Sequence, residues 1–345
     1  MTGFPAFRPA FRFASARTAN RLVAGVPAAA RLARSYREAG VGAPLVLVLA
    51  DGRSLAPLTM AEIARLAPGV SLAISDAPEG PLIAGESLPE AAQIPALLAG
   101  AASPPPADPD ATLAAASRAI LRATAKPGDG IVSRHLNRPV SQACSALLLR
   151  LPWIRPGHAT VLTALCALAM IACLALLPGE PGLVTGAVLF QLASIVDGID
   201  GEIARATFRT SPQGASWDSA VDAVTNLGFL FGLVGNLWFA GRSEEAMIGL
   251  AGLAMLVIGM SALGLHARAR GEPLNFDGAK RMLDARPSPL RRWLRYVTMR
   301  DFYCLFLAVM IVAGLVWHAL AIFAGAAALW LVTVTALLLR AGRSL

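Results

Sequence analysis

Apolar residues run almost unbroken over long stretches after about position 150, whereas before it they are interrupted by Arg, Pro, Asp and Glu. A helix needs about 20 consecutive apolar residues to cross a bilayer. Six stretches approach that length, at about 158–177, 183–201, 217–240, 246–266, 302–319 and 321–340. Just upstream, Ser133 to Ile154 mixes Arg and His with Leu, Ala and Val and stops before Pro156, a pattern that predicts an amphipathic helix lying in the headgroup plane. Further forward the period changes. "PLVLVLAD" (Pro44 to Asp51) is a β-branched apolar run halted by Asp51-Gly52, "MAEIARLA" follows at helical spacing, and "VSLAIS" reads as another strand. That order predicts a small α/β domain, and the Pro-rich "SPPPADPD" behind it reads as a linker. The expected organisation is a basic arm over 1–22, a small cytosolic α/β domain over 23–102, a linker over 103–125 and an all-α polytopic membrane domain over 126–345. That last domain would hold six transmembrane helices plus the interfacial amphipathic helix.

Composition agrees with a membrane protein. The chain is 56% hydrophobic and only 15% charged, too apolar for a soluble domain with a solvated surface. The formal net charge of +8 could suggest nucleic acid, but the positions of the basic residues favour another origin. "PGEPG" and the "WH" of the fifth connection carry no Lys or Arg, and "GRSEE" sets one Arg beside two Glu. The opposite connections hold Arg205, Arg209, Arg268, Arg270, Lys280, Arg281 and Arg286. Under the positive-inside bias this puts both termini in the cytoplasm of a multi-pass protein, with no nucleic-acid partner. The Arg-rich amino terminus lacks the apolar core of a secretory signal and reads as an arm near anionic headgroups. Cys144, Cys166, Cys173 and Cys304 show no CxxC spacing and suggest neither a disulfide framework nor a zinc site.

The chemistry gathers between the second and third apolar runs. Asp197 and Asp200 are three apart and Asp218 and Asp222 four apart, so two helices each present two carboxylates on one face. Four anions at the edge of hydrocarbon need counter-charge, and hard oxygen ligands favour magnesium, manganese or calcium. A pair of divalent ions is the usual way to hold a diphosphate for displacement. Gly201 and Gly214 leave room for a ligand or a backbone, Ala204 is similarly small, and Arg205 offers a guanidinium matched to phosphate oxygens.

The pattern Asp197-x2-Asp200-Gly201-x2-Ala204-Arg205-x8-Gly214-x3-Asp218-x3-Asp222 resembles, without a mismatch, the signature of the CDP-alcohol phosphotransferases. The resemblance implies a six-helix membrane enzyme, commonly a homodimer, that transfers a phosphoalcohol group from a CDP-alcohol to an alcohol or lipid hydroxyl and releases CMP. It implies two Mg2+ or Mn2+ ions held by Asp197, Asp200, Asp218 and Asp222, with Asp222 also the general base. Gly201, Ala204 and Gly214 would line the cytidine pocket and Arg205 would hold the diphosphate, at a site opening to the cytosol.

"KPGDGIVSRHLNRPVS" (Lys126 to Ser141) is similar to the segment preceding the membrane domain in di-myo-inositol phosphate phosphate synthase-like enzymes. Some of those are fused to a cytidylyltransferase, and "VAGVPAAARLARSYREAGV" (Val23 to Val41) resembles a helix of such domains. Nothing like GxGxR precedes Val23, so the front domain is expected to be a truncated, catalytically silent docking or stabilising module. "RPGHAT" also departs from the family pattern, with Gly157 where many relatives have Asn. Arg291, Arg292, Arg295 and Arg300 precede the fifth run and are candidates for binding an acceptor or donor phosphate, or equally an interfacial anchor. A polar donor such as CDP-inositol or CDP-glycerol is expected, with CDP-diacylglycerol and a soluble alcohol as the alternative. Outside enzymes the competing readings are a cation transporter, which would spread its acids across the bilayer depth, and a membrane scaffold.

Overall fold

The computed structural model describes residues 9–75, 80–100, 104–269 and 299–342. The chain divides into two compact units: Met1–Lys126 with Gln142–Arg155 and Gly201–Arg209, and Pro127–Ser141 with Pro156–Asp200 and Thr210–Leu345.

The first unit is built on a four-stranded parallel sheet in the order β5-β4-β1-β6, comprising β1 (Ala10–Phe13), β4 (Leu45–Leu49), β5 (Leu72–Ile74) and β6 (Leu82–Ala84). Phe11 pairs with Leu47 on one side of β1 and with Ile83 on the other. Strands of a parallel sheet are covered on both faces and read as continuous apolar runs, as "LVLVL" of β4 does. Helices α2 (Ala28–Glu38) and α3 (Pro57–Leu66) contribute Leu32, Ala33, Tyr36 and Ile63 to a core shared with Phe11, Phe13 and Leu47.

Two expectations are corrected here. The arm expected over 1–22 contains β1, the central strand, followed by helix α1 (Ala16–Asn20) capped by Ser15. Exposed Arg12 between buried Phe11 and Phe13 is the alternation of a strand, which a count of basic residues conceals. The linker expected over 103–125 contains helix α5 (Pro109–Ala123). The Asp108 side chain accepts from Ala111 N at 2.9 Å, Pro109 sits in the first turn, and Leu113 enters the core.

The second unit is helical. Among the described residues, five helices are long and apolar enough to cross a membrane: α7 (Pro156–Leu176), α8 (Glu180–Ala206), α9 (Pro212–Phe239), α10 (Ser243–Ala269) and α12 (Val316–Gly342). Helix α11 (Arg300–Val312) lies between the last two in the chain; its 13 residues rise only about 20 Å and fall short of that length. The fifth run, expected to continue to 319, ends earlier. Gly314 takes φ +75°, Leu315 N donates to Met310 O at 2.8 Å, and Trp317 and His318 begin the next helix instead of forming the connection. Only glycine enters this conformation without penalty, and its apolar neighbours hide the turn from a hydropathy reading. Phe190 and Phe229 stack at 4.0 Å in a core with Met170, Leu233, Cys304 and Ile311. At the α7–α8 connection, Asn236 donates through Nδ2 to the carbonyls of Leu174 and Leu177, each at 2.7 Å, and accepts from Gly179 N at 3.0 Å. A side chain from α9 thereby caps α7, whose terminal carbonyls would otherwise be orphaned in an apolar setting. In the stretch expected to be interfacial, a π-helical turn at Ser133–Asn137 leads into α6 (Arg138–Leu148).

Candidate active site

Two helices converge at the aspartate motif. Along α8, Asp197 and Asp200 fall about one turn apart; α9 starts at a Ser211 cap, whose Oγ accepts from Gly214 N at 3.0 Å, and its second turn carries Asp218. Asp197, Asp218 and Asp222 each offer a carboxylate oxygen within 4.8 Å of the others, and all three are half-buried. Asp200 faces a different neighbour: its Oδ2 accepts from Thr160 Oγ1 of α7 at 2.8 Å, and the residue is buried.

Arg300, the first residue of α11, enters this cluster. Its Nη1 lies 3.1 Å from Asp197 Oδ2 and is ion-paired with Asp222, so one guanidinium ties α11 to both carboxylate-bearing helices. Its Nε and Nη2 are buried and have no hydrogen-bond partner among the described residues. Two N–H-bearing atoms of the fork therefore remain available to an anion. Asp301 turns the other way and accepts from Ser133 N at 2.5 Å, against Gly130, where any side chain would meet the Asp301 carboxylate. The segment at 127–141 is tied down further by Arg138, which donates to both oxygens of Asp129 at 2.8 and 3.1 Å. Asn137 donates to Ser194 Oγ of α8 at 3.3 Å and accepts from Gln191 Nε2 at 3.0 Å.

Of the small positions, Gly201 lies against its own helix: a Cβ there would come within 2.9 Å of Arg205 Nη1. Arg205 Nε donates to Thr124 O, at the end of α5, at 2.7 Å. Ala204 is half-buried, whereas Gly214 is exposed in the first turn of α9. Arg291, Arg292 and Arg295 lie outside the described residues. Sequence reasoning missed Thr160, Asp129, Asn137, Arg138 and Glu202. Thr160 lay within the quoted "RPGHAT", and Asp129, Asn137 and Arg138 lie within the stretch Lys126 to Ser141, which was quoted for its resemblance. Glu202, fully buried and accepting from Ser145 Oγ at 2.6 Å, could have been noticed as the one acid inside the motif that the signature leaves unassigned.

The donor set suits a hard divalent cation. Three half-buried carboxylates exceed in charge the guanidinium that two of them share, and every offered atom is oxygen.

The chain is similar to proteins named bifunctional IPC transferase and DIPP synthase. It is 44% identical to that of Thermococcus kodakarensis over 116 residues, which cover 33% of this chain and 25% of the relative. It is 40% identical to that of Aquifex aeolicus over 112 residues, 32% of this chain and 24% of the relative. With that of Rubrobacter xylanophilus it shares 35% identity over 168 residues, 48% of this chain and 37% of the relative. The chain thus spans between about a quarter and somewhat over a third of these relatives' length. Residues 153–338, more than half of the chain and including all four motif aspartates, match the model of the CDP-alcohol phosphatidyltransferases, and the chain belongs to that family of transferases.

Proposed function

We propose that the protein is an integral membrane transferase that moves a phosphoalcohol group from a CDP-alcohol to an acceptor hydroxyl and releases CMP. The observation that carries this reading is the meeting of Asp197, Asp218 and Asp222 around the Arg300 guanidinium. Asp197, Asp200, Asp218 and Asp222 would hold two divalent cations, Mg2+ or Mn2+, whose charge when bound offsets that of the diphosphate and of the departing CMP. The acceptor oxygen attacks the β-phosphorus, the bond from that phosphorus to the bridging oxygen breaks, and CMP leaves with the electron pair. Asp222 takes the hydroxyl proton as general base. Arg300 Nε and Nη2, buried and without a partner among the described residues, would receive phosphate oxygens, and Arg205 with Gly201, Ala204 and Gly214 would serve the nucleotide.

The names of the relatives and the resemblance of residues 126–141 favour a polar donor such as CDP-inositol or CDP-glycerol. Product and acceptor would then belong to phospholipid, sphingolipid or inositol-phosphate-type head-group synthesis. In the membrane, α11 counts as the short sixth span and α6, with exposed Leu136, Val140 and Leu147 on or beside it, as the interfacial helix. The Arg-bearing connections favour a cytoplasmic side for both termini and the active site, and a homodimer is the expected assembly.

The front domain is read as a silent relative of a nucleotidyltransferase. Behind β1, where such a domain needs free backbone N–H groups for phosphate, Ala14 N donates to Glu86 at 2.6 Å and Ala16 N to Asp51 at 2.9 Å. The domain's own carboxylates occupy those donors and add negative charge where a phosphate would sit.

CMP release by the purified protein and by Asp218→Asn tests the reading. Loss of turnover is expected in the variant, whereas full turnover would leave the aspartates without their assigned role and return cation transport or a scaffold to consideration.

A further inference from the structure

The turn that joins the two carboxylate-bearing helices has an unusual build. Helix α8 ends in a Schellman turn, with Arg209 N donating to Ala204 O at 2.8 Å and Phe208 N to Arg205 O at 3.4 Å. Its left-handed residue is Phe208, at φ +57°, where glycine is the usual occupant. A bulky residue persists in that conformation only where its surroundings over-determine it.

The α/β domain supplies those surroundings. Arg34 of α2 lies over the Phe208 ring at 3.4 Å from its centroid, and Arg31 reaches it at 5.1 Å. Arg31 Nη2 also donates to Ala206 O at 2.6 Å and to Ala24 O at 3.0 Å, while its Nε donates to Val23 O at 2.7 Å. Arg65 of α3 donates to Thr207 O at 2.9 Å and to Phe208 O at 3.3 Å. Glu62 joins Arg65 to Arg209, each at 2.6 Å. Ala24 and Gly25, both at positive φ, form the tip of the β2 (Leu22–Val23) and β3 (Val26–Pro27) hairpin, and a side chain at Gly25 would come within 3.0 Å of the Thr207 methyl.

The carbonyls of Ala206, the last residue of α8, and of Thr207 and Phe208 in the turn behind it find no acceptor role within that helix's own hydrogen-bond ladder. Two guanidinium groups from a separate layer satisfy them and place positive charge at the negative end of the helix dipole. Burial, together with the neighbouring charge of Arg34, pushes Arg31 down to about 9, so holding this charge costs free energy that only its position can offset.

We propose that the α/β domain is a clamp on the Ala206–Arg209 turn, with Arg31, Arg34, Glu62 and Arg65 as positioning residues for the carboxylates of the helices on either side. This rests on reading those carboxylates as the catalytic centre. The domain gives the transferase a fixed spacing between the two halves of its motif, in place of nucleotide chemistry of its own. Misplacing catalytic groups by about an ångström can cost on the order of a hundredfold in rate, which makes the turn a place where positioning matters.

The test uses the full chain in lipid nanodiscs with three variants. Arg65→Gln removes the donors to Thr207 and Phe208. Phe208→Gly removes the ring but suits the left-handed conformation, so it does not simply misfold the turn. Arg65→Lys keeps the charge without the fork. Hydrogen exchange of the amides at 207–210 should accelerate about tenfold or more in the first two variants and less in Arg65→Lys. Mn2+ alone should bind at least about threefold more weakly in the same order, and kcat should fall more than the KM for the donor. Unchanged exchange and unchanged Mn2+ affinity in both Arg65→Gln and Phe208→Gly would overturn the clamp. A wild-type protein that binds Mn2+ but releases no CMP would instead count against the proposed reaction, and the exchange result would still decide on the clamp.

Discussion

Replacing Arg300 with Gln removes the guanidinium that Asp197 and Asp222 share. At the observed 3.1 Å from Asp197, and with an effective dielectric constant of about 20, the gross attraction is about 5 kcal/mol. Net charge-assisted contacts retain less, roughly 1.5–3 kcal/mol once hydration is exchanged. In the metal-free protein that interaction competes with a divalent cation for the same carboxylates. Arg300→Gln should therefore bind Mn2+ about tenfold or more tightly than wild type, since 1.4 kcal/mol corresponds to a factor of ten. Arg300→Lys, which keeps a charge, should stay near wild type. Turnover should move the opposite way and fall at least about tenfold, because the fork proposed to receive phosphate oxygens is lost. Mn2+ titration of metal-stripped protein, followed by electron paramagnetic resonance of the free ion, reads the first quantity, and CMP release reads the second. Weaker or unchanged Mn2+ binding in Arg300→Gln would refute the idea that this arginine occupies the cation's place.

Glu86 is buried and accepts from Ala14 N and from Thr18 Oγ1 at 2.9 Å, so Glu86→Ala strands two donors and should destabilise the α/β domain by about 2–5 kcal/mol; equal exchange rates in β1 and α1 would contradict this. Asn236→Leu removes the cap on α7 at a cost of about 2–4 kcal/mol, which a thermal ramp should show as earlier labelling of buried Cys304 by a thiol-reactive dye. The full chain should not carry out CTP-dependent cytidylyl transfer, and that activity would overturn the silent reading of the front domain.

The parts of this protein visible in its sequence are those governed by local pattern. The aspartate spacing placed the carboxylates on shared helix faces, and three of them do meet, because a helix fixes the direction of side chains three and four apart. The apolar runs anticipated six spans, and five helices of that length and character stand among the described residues. The losses have physical causes. β1 hides in an Arg-rich stretch because its buried residues flank an Arg that faces outward. Helix α5 was masked by prolines, although Asp108-Pro109 is itself a helix start. The turn at Gly314 is apolar on both sides, so conformation alone ends α11. The two features that bear most on the site, Arg300 between the carboxylates and Arg31 with Arg65 on the α8 carbonyls, pair residues more than 70 positions apart. No spacing rule reaches that far.

The central claim is tested most directly by CMP release from the detergent-purified protein with magnesium, across CDP-inositol, CDP-glycerol and CDP-diacylglycerol, each offered with polar alcohols and with a lipid extract. The account predicts release that requires both a donor and an acceptor, and that disappears in Asp222→Asn. Release that persists in Asp222→Asn, or none from any pair, would contradict it.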